Sequence, residues 1–292
     1  MYKKFGNFGI IRYLCAQMKI TLFQSDTVWK RPLDNYLQIE AQLEAHPDSD
    51  LMVLPEMCST GFVTDPMEGE LERSQDVEQR LLDLSERYET ALCGSFAVRE
   101  AAVGGLWRNY NRCLFVTPEG RVWRYDKHHL FNPGGEGKAY TPGQRRVTAR
   151  WKGVRFALCV CYDLRFPVWN KYHGGCERQP SVGPAEISPA HEYDVLICCA
   201  NWPVQRQLAW ETLIRARAIE NQVYVAGVNR VGHDNICPYS GGSKVIHPYG
   251  HVLSECQDNV VSTCDFEPDL EWLNHFREKF PSQRDSDNFQ IW

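Results

Sequence analysis

The chain has 292 residues, of which 43% are hydrophobic and 24% charged, so it contains enough apolar material for a large buried core. Its net charge is −5 and its Lys and Arg residues form no dense stripe, which argues against nucleic acid and an anionic membrane surface as partners. A small molecule is therefore the expected partner.

The twelve cysteines are scattered through apolar runs such as residues 197–200. In a chain of this length, that distribution predicts reduced, packed thiols in a cytoplasmic protein rather than a disulfide framework. Cys159 and Cys161 are separated by one residue and no second pair stands at ligand spacing, so we expect no metal site and no cofactor.

The hydrophobic pattern of the first half predicts alternating strands and helices. Residues 1–17 contain only a short, interrupted apolar stretch, so they are expected to be an N-terminal appendage to a folded domain that begins at residue 18. The predicted elements are a strand at 19–24, a helix at 32–46 with Leu33, Leu37 and Leu43 at helical spacing, a strand at 51–55, a helix at 75–88, a strand at 91–98 and a hairpin at 110–117 and 120–125. A glycine-rich loop at 132–140 follows, which holds Glu136 and is expected to be mobile.

The second half continues the alternation. A buried strand at 154–160 ends at Cys161, and the Pro and aromatic residues at 166–172 predict a turn into a short helix. Residues 174–191 are rich in Gly, Pro and Ser, which predicts a surface insertion. The remaining predicted elements are a strand at 194–200, a helix at 205–221 with Leu208 and Ile219 on its turns, a strand at 223–228, strands around 244–246 and 260–264 joined through a turn at 248–250, and a partly helical tail from 268 that suits docking on a partner surface. This alternation predicts an α/β fold and one domain over residues 18–292.

Three reactive side chains each follow the carboxyl end of a predicted strand: Glu56, Lys127 and Cys161. Ligand sites in α/β sheets gather at that edge. A thiolate attacks a carbonyl or nitrile carbon, a carboxylate moves protons and an ammonium stabilises an anionic intermediate, so the trio predicts nucleophilic catalysis without a histidine. The start of a helix after Cys161 would favour its thiolate. Taken singly, the three also fit a buried thiol, a surface acid and a solvated lysine.

Several stretches carry a resemblance to a known family. They are Leu54-Pro55-Glu56-Met57, residues 125–131 (YDKHHLF), residues 161–167 (CYDLRFP), residues 200–203 (ANWP) and residues 215–222 (RARAIENQ). In this order they resemble the nitrilase superfamily of carbon–nitrogen hydrolases, and within it the omega-amidases of the 2-oxoglutaramate-hydrolysing type. The resemblance implies a four-layer α-β-β-α sandwich that assembles as a homodimer or a larger homo-oligomer.

The resemblance also implies roles for individual residues. Cys161 would be the nucleophile, Glu56 the general base and acid, and Lys127 the stabiliser of the tetrahedral intermediate. Glu136 lies where the family often has a second glutamate and would position Lys127 or the substrate. The backbone N–H of Tyr162 would complete an oxyanion hole with Lys127.

The implied reaction is hydrolysis of the terminal amide of a small omega-amidodicarboxylate, such as 2-oxoglutaramate, to the acid and ammonia through a cysteine thioester. Two alternatives stay open. The first is a nitrilase or an N-carbamoyl amino-acid hydrolase with the same triad, and the second is a catalytically silent scaffold or binding protein on the same fold. The intact triad argues against the second.

The pocket walls are expected to come from aromatic residues, namely Trp202, Phe62 and Phe131. Arg165 has two interpretations: a clamp for a substrate carboxylate, or the favoured alternative of a structural ion pair with Asp163. A Cys–His dyad built on residues 128 and 129 is disfavoured, since adjacent side chains of an extended chain point in different directions.

Overall fold

Two β-sheets pack face to face and carry helices on their outer faces, in a computed structural model that describes residues 18–67, 70–171 and 192–287. The expected appendage at 1–17 and the expected insertion at 174–191 lie outside the described residues.

The first sheet has seven strands in the order β15-β1-β2-β4-β5-β6, with β3 paired to β4. Its strands are β1 (Ile20–Gln24), β2 (Leu51–Val53), β3 (Glu72–Arg73), β4 (Ala91–Ala101), β5 (Trp107–Val116), β6 (Val122–Asp126) and β15 (Ser262–Phe266). β1, β2 and β4 are mutually parallel, whereas β5 is antiparallel to both β4 and β6. The carboxyl ends of β2 and β6 therefore lie at the same edge of the sheet.

The second sheet has six strands in the order β14-β13-β10-β9-β8-β7. Its strands are β7 (Thr148–Trp151), β8 (Val154–Val160), β9 (Val195–Cys199), β10 (Tyr224–Val228), β13 (Lys244–Ile246) and β14 (Val252–Glu255). β8, β9 and β10 are parallel. A separate hairpin consists of β11 (Val231–His233) and β12 (Pro238–Ser240).

The helices complete the layers. They are α1 (Pro32–Ala45), α2 (Ser74–Tyr88), α3 (Glu136–Ala139), α4 (Pro167–Asn170), α5 (Gln207–Asn221) and α6 (Leu270–Lys279), with short 3-10 helices at Asn132–Gly134, Cys161–Arg165, Val204–Arg206 and Ser282–Asp285. α1 and α2 pack on the outer face of the first sheet and α5 packs on the outer face of the second.

Alternate residues along the strands supply the different layers, as the period of a strand requires. Along β8, Phe156 and Leu158 face the first sheet, whereas Ala157 and Cys159 face α5. The expected α/β fold with four layers, α-β-β-α, is therefore confirmed.

The structure corrects the expected buried faces of two helices. α1 buries Tyr36 and Ile39 but leaves Leu33 and Leu37 67% and 64% exposed. α5 buries Trp210 and Arg217, whereas Leu208 is 79% exposed. Polar residues on the buried faces cause the difference. Arg217, for example, is buried because it donates to the Leu164 carbonyl at 2.6 Å, and a prediction from the spacing of apolar residues treats such a residue as exposed.

One prediction for the C-terminal third was wrong. The turn at 248–250 was expected to join the strands around 244–246 and 260–264. It instead joins β13 to β14, and the next strand, β15, pairs with β1 in the first sheet. The predicted partly helical tail contains α6, whose Leu273 is fully buried in the core between the sheets and whose Arg277 contacts Asp194 at 2.8 Å. Among the described residues, no helix is both long and apolar enough to span a bilayer.

Candidate active site

The three reactive side chains meet between the sheets at the carboxyl ends of their strands. Lys127 directly follows β6, Cys161 directly follows β8, and Glu56 lies three residues beyond β2. A backbone hydrogen bond from Glu56 N–H to the Ala200 carbonyl, at 3.4 Å, connects the two edges. Glu56 and Lys127 thus come from the first sheet and Cys161 from the second.

Lys127 lies between two carboxylates. Its Nζ is 2.7 Å from Glu56 Oε1 and 2.8 Å from Glu136 Oε2, and all three side chains are fully buried. Asn111 Nδ2 donates to both carboxylates at 2.8 Å, and Ser95 Oγ donates to Asn111 Oδ1 at 2.5 Å. Buried charges persist only when they are paired and hydrogen-bonded, and this cluster meets that condition.

Asn111 was missed because it lies inside β5 rather than at a strand end. It shares the inter-sheet face of that strand with Cys113 and Phe115, which belong to the core between the sheets. The signal in the sequence is a polar amide two residues before the apolar part of the same face, where a buried amide requires a hydrogen-bonding partner.

The expected mobility of the loop at 132–140 is a further correction, since Glu136 begins the short helix α3 and has no exposed surface. Gly135, with a φ of +85°, turns the chain from the preceding 3-10 helix into α3. Phe131 N–H then donates to Glu136 Oε2 at 2.6 Å. The buried carboxylate therefore anchors the loop.

Two carboxylates share one cation, and this sets the charge state of the cluster. Burial alone would lower the pKa of Lys127, but Glu136 and Glu56 outweigh it and raise that pKa well above its ordinary value. Burial raises the pKa of Glu56, against the opposing effect of Lys127, and the charge of Glu136 raises it further. A carboxyl with a raised pKa next to a permanent ammonium is suited to accept and return a proton.

Cys161 begins a 3-10 helix with a φ of +44°, which is unusual for a residue with a side chain. The buried carboxylate of Asp163 stabilises this 3-10 helix, because it accepts hydrogen bonds from Tyr125 Oη–H at 2.7 Å and from His129 N–H at 2.8 Å. Cys161 Sγ lies 3.8 Å from the Asn201 carbonyl oxygen.

The thiol of Cys161 is not activated in the way the sequence suggested. Desolvation, together with the nearby Glu56 carboxylate, raises the pKa of Cys161 well above its ordinary value. The helix that starts there is one short 3-10 segment, so the expected dipole effect does not prevail. Forming its thiolate therefore requires proton transfer to a base, and the nearby carboxylate is that of Glu56.

A narrow cavity of about 90 Å³ opens onto Cys161. Tyr162, Arg165, Phe62, Phe131 and Trp202, which were singled out from the sequence, all line it. The other lining residues are Gly134, Asn201, Pro203, Arg206, Ile236, Cys237 and Tyr239. Ile236, Cys237 and Tyr239 belong to the β11–β12 hairpin and its turn, for which no strand was predicted.

Arg165 does not pair with Asp163. Its guanidinium lies 4.8 Å from the centre of the Trp202 ring, and that of Arg206 lies 5.3 Å from the ring of Phe131. Within residues 18–67, 70–171 and 192–287, neither guanidinium forms an ion pair. The favoured structural interpretation of Arg165 was therefore wrong, and two cationic groups face the cavity.

The adjacent histidines, residues 128 and 129, each stack on an aromatic ring. His128 stacks on Trp169 with ring centres 3.7 Å apart. His129 stacks on Phe166 at the same distance and its Nδ1 lies 2.9 Å from Asp163 Oδ1. Both rings thus pack against residues 163–169, the segment that follows Cys161.

One group of side chains in the described part of the molecule has the proximity that a metal requires. The sulfur atoms of Cys93, Cys113 and Cys199 lie within 4.8 Å of one another, and all three residues are buried. The three residues belong to the core between the sheets and do not line the cavity.

Comparison with known proteins places this arrangement in a family. Residues 15–273 match the carbon–nitrogen hydrolase family. The chain is 37% identical to the omega-amidase YafV of Escherichia coli K12, over 94% of this chain and 99% of that protein. It is 29% identical to the 2-oxoglutaramate amidase of Bacillus subtilis, over 90% and 95% of the two chains.

A solved structure gives the same result. XC1258 from Xanthomonas campestris, described as a CN-hydrolase superfamily protein with an arsenic adduct in its active site, superposes with a TM-score of 0.84. It is 34% identical and the match covers 94% of this chain and 99% of that one. The resemblance noted from the motifs is confirmed, and the chain belongs to the carbon–nitrogen hydrolase family.

Proposed function

We propose that this protein hydrolyses the terminal amide of a small omega-amidodicarboxylate, such as 2-oxoglutaramate, to the acid and ammonia. The observation that carries the proposal is the buried cluster of Glu56, Lys127 and Glu136 beside Cys161, because it supplies a base, a cation and a nucleophile in one place. The names of the relatives, an omega-amidase and a 2-oxoglutaramate amidase, support the choice of substrate.

In the proposed acylation step, Glu56 accepts the S–H proton of Cys161 while Sγ attacks the amide carbon and a C–S bond forms. The raised pKa of Glu56 makes its carboxylate a stronger base, which the raised pKa of the thiol demands. When the C–N bond breaks, Glu56 returns the proton to the departing nitrogen. Ammonia leaves and a thioester remains on Cys161.

Lys127 stabilises the negative oxygen of the tetrahedral intermediate in this proposal. An ammonium has three N–H donors, and Lys127 uses two of them to donate to Glu56 and Glu136. The third is available for the oxyanion, together with the backbone N–H of Tyr162. Loss of one such donor typically costs about 10²–10³ in rate.

Deacylation repeats the chemistry with water. Glu56 takes a proton from water as its oxygen attacks the thioester carbon, the C–S bond breaks, and the same proton returns to the sulfur of Cys161. The products are the free acid and the original thiol, so one water is consumed for each ammonia released.

The cations that face the cavity support a substrate with a distal carboxylate. Arg165 and Arg206 both line it and neither is paired within the described residues. A guanidinium binds a carboxylate through charge-assisted hydrogen bonds. We therefore assign Arg165 to the substrate carboxylate, with the aromatic rings of Phe62, Phe131 and Trp202 as the cavity walls.

Ammonia release from a substrate panel tests the reaction. With 2-oxoglutaramate, an aliphatic nitrile and an N-carbamoyl amino acid, we expect preferential turnover of 2-oxoglutaramate. Preference for the nitrile or the carbamoyl acid would overturn the assignment.

Cys161→Ala is expected to fold and to lose activity by about 10⁴-fold or more, as measured by circular dichroism and ammonia release. Turnover near the wild-type rate in this variant would exclude Cys161 as the nucleophile.

Arg165→Met tests carboxylate recognition. We expect KM for 2-oxoglutaramate to rise roughly 10- to 100-fold, because a charged hydrogen bond is lost. Turnover of butyramide, a neutral amide without a carboxylate, serves as the control and should be little changed. An equal loss with both substrates would instead indicate a structural role for Arg165.

A further inference from the structure

Asn201 follows β9 and contacts Glu56 twice. Its backbone N–H donates to Glu56 Oε2 at 2.9 Å, and its side-chain Nδ2 donates to the Glu56 backbone carbonyl, also at 2.9 Å. Its own carbonyl oxygen lies 3.8 Å from Cys161 Sγ. Asn201 thus touches both the base and the nucleophile of the proposed reaction.

The side-chain oxygen of Asn201 is buried and receives no hydrogen bond, and of the described residues with such an unpaired atom Asn201 alone lines the cavity. Leaving a buried acceptor unpaired is unfavourable, so such an atom in a native structure needs an explanation. The amide cannot be rotated to remove the problem, since that would place Oδ1 against the Glu56 carbonyl oxygen, which is also an acceptor. Asn201 lines the cavity above Cys161.

A primary amide supplies the missing donor. When Cys161 has attacked, the substrate nitrogen carries two N–H groups and a lone pair, and the lone pair must point at Glu56 to take up the proton. The hydrogen bonds from the Asn201 backbone N–H to the Glu56 carboxylate and from Nδ2 to the Glu56 backbone carbonyl hold Asn201 beside Glu56, to which the proposed reaction brings that nitrogen. An N–H bond directed at Oδ1 would orient the nitrogen so that its lone pair faces Glu56.

We propose that Asn201 Oδ1 accepts a hydrogen bond from the NH₂ group of the substrate and so selects amides over esters. The inference rests on the proposed amide hydrolysis and adds a specificity-determining residue to it. An ester has no N–H at this position, and a site built to pair with a donor discriminates against an analogue that lacks one.

The test compares succinamate with monomethyl succinate, which share an acyl group and differ only in the leaving group. In Asn201→Ala the lost Nδ2 bond to Glu56 affects both substrates, so the amide-to-ester ratio of kcat/KM isolates Oδ1. We expect that ratio to fall about 10-fold or more. A ratio that stays within about twofold of wild type would overturn the inference.

Asn111→Ala is the matched control. Asn111 also donates to Glu56, at 2.8 Å, but does not line the cavity. It should slow amide and ester to the same extent and leave the ratio unchanged. A ratio that falls equally in both variants would assign the effect to the position of Glu56 rather than to Oδ1.

Binding separates this inference from the proposed function. Calorimetry on Cys161→Ala with succinamate and monomethyl succinate should show tighter binding of the amide, and the preference should disappear in Cys161→Ala/Asn201→Ala. If the wild type hydrolyses neither compound, the proposed function fails while the binding preference still decides the role of Asn201. Equal binding of amide and ester to Cys161→Ala, or binding of neither, would overturn the inference.

Discussion

Glu56 owes its raised pKa first to burial and then, against the pull of Lys127, to the second carboxylate of Glu136. As the proposed base, Glu56 must be ionised, so activity should fall as the pH drops through this raised pKa. Removing the charge in Glu136→Gln lowers the pKa of Glu56, since the like charge is gone and Lys127 then acts on one carboxylate.

The predicted result for Glu136→Gln is an acid limb of the kcat/KM profile that moves to lower pH. The measurement is ammonia release from 2-oxoglutaramate across pH. Glu100→Gln is the control, because Glu100 also pairs with a cation, Arg112, at 3.0 Å, but outside the cavity. An acid limb that stays in place in Glu136→Gln, or moves to higher pH, would contradict the charge-sharing account.

Among the single elements, the turn from the 3-10 helix into α3 depends on Gly135, whose φ is +85°. Gly135→Ala forces a side chain into a left-handed conformation, which costs about 1–2 kcal/mol, and should displace Glu136 from Lys127. We expect a lower melting temperature together with a loss of kcat of about tenfold or more, because small misplacements at a reacting centre are costly.

Gly104→Ala is a matched control for this element. Gly104 has a φ of +84°, and, as at Gly135, a Cβ there would meet no atom within 4 Å. The same backbone strain should lower the melting temperature by a similar amount while kcat stays near the wild-type value. Equal losses of kcat in the two variants would mean that stability alone accounts for the effect.

The elements differ in how far their sequences predict them. The strands before Glu56 and Cys161 could be predicted, because apolar runs of strand length end abruptly in a polar side chain. The strand before Lys127 could be predicted as the second strand of a hairpin. The buried face of α1 could not, since it includes Asn35, whose amide donates to the Ser59 carbonyl at 2.7 Å. Hydrophobic periodicity counts such a residue as exposed, although its hydrogen bonds make burial favourable.

Site residues that lie off strand ends escaped prediction for a related reason. Asn111 acts from the middle of β5, and the turn that carries Ile236 and Cys237 joins strands of three residues each, too short for a periodic signal. Their contribution depends on which chain segments the fold brings together. That information lies in the packing of the two sheets rather than in any local stretch.

At the scale of the whole molecule, the site is divided between two sheets whose separation is set by the core between them. Phe156 of the second sheet packs on Phe115 of the first, with ring centres 5.2 Å apart. Glu56 and Lys127 come from the first sheet and Cys161 from the second. The geometry of the reacting groups therefore depends on how the sheets pack.

Phe156→Ala should both destabilise the protein and slow the reaction. We expect a loss of about 3–5 kcal/mol in the free energy of unfolding. We also expect kcat to fall even well below the melting temperature, because the sheets partly collapse into the space left by the removed ring and shift Cys161 relative to Glu56. Leu81→Ala is the control, since Leu81 is equally buried but packs α2 on the outer face of the first sheet. It should lose about 2–5 kcal/mol of stability and keep its kcat. Urea denaturation measures the free energy of unfolding, and ammonia release measures kcat. If kcat falls in proportion to stability in both variants, the site does not depend specifically on the packing between the sheets.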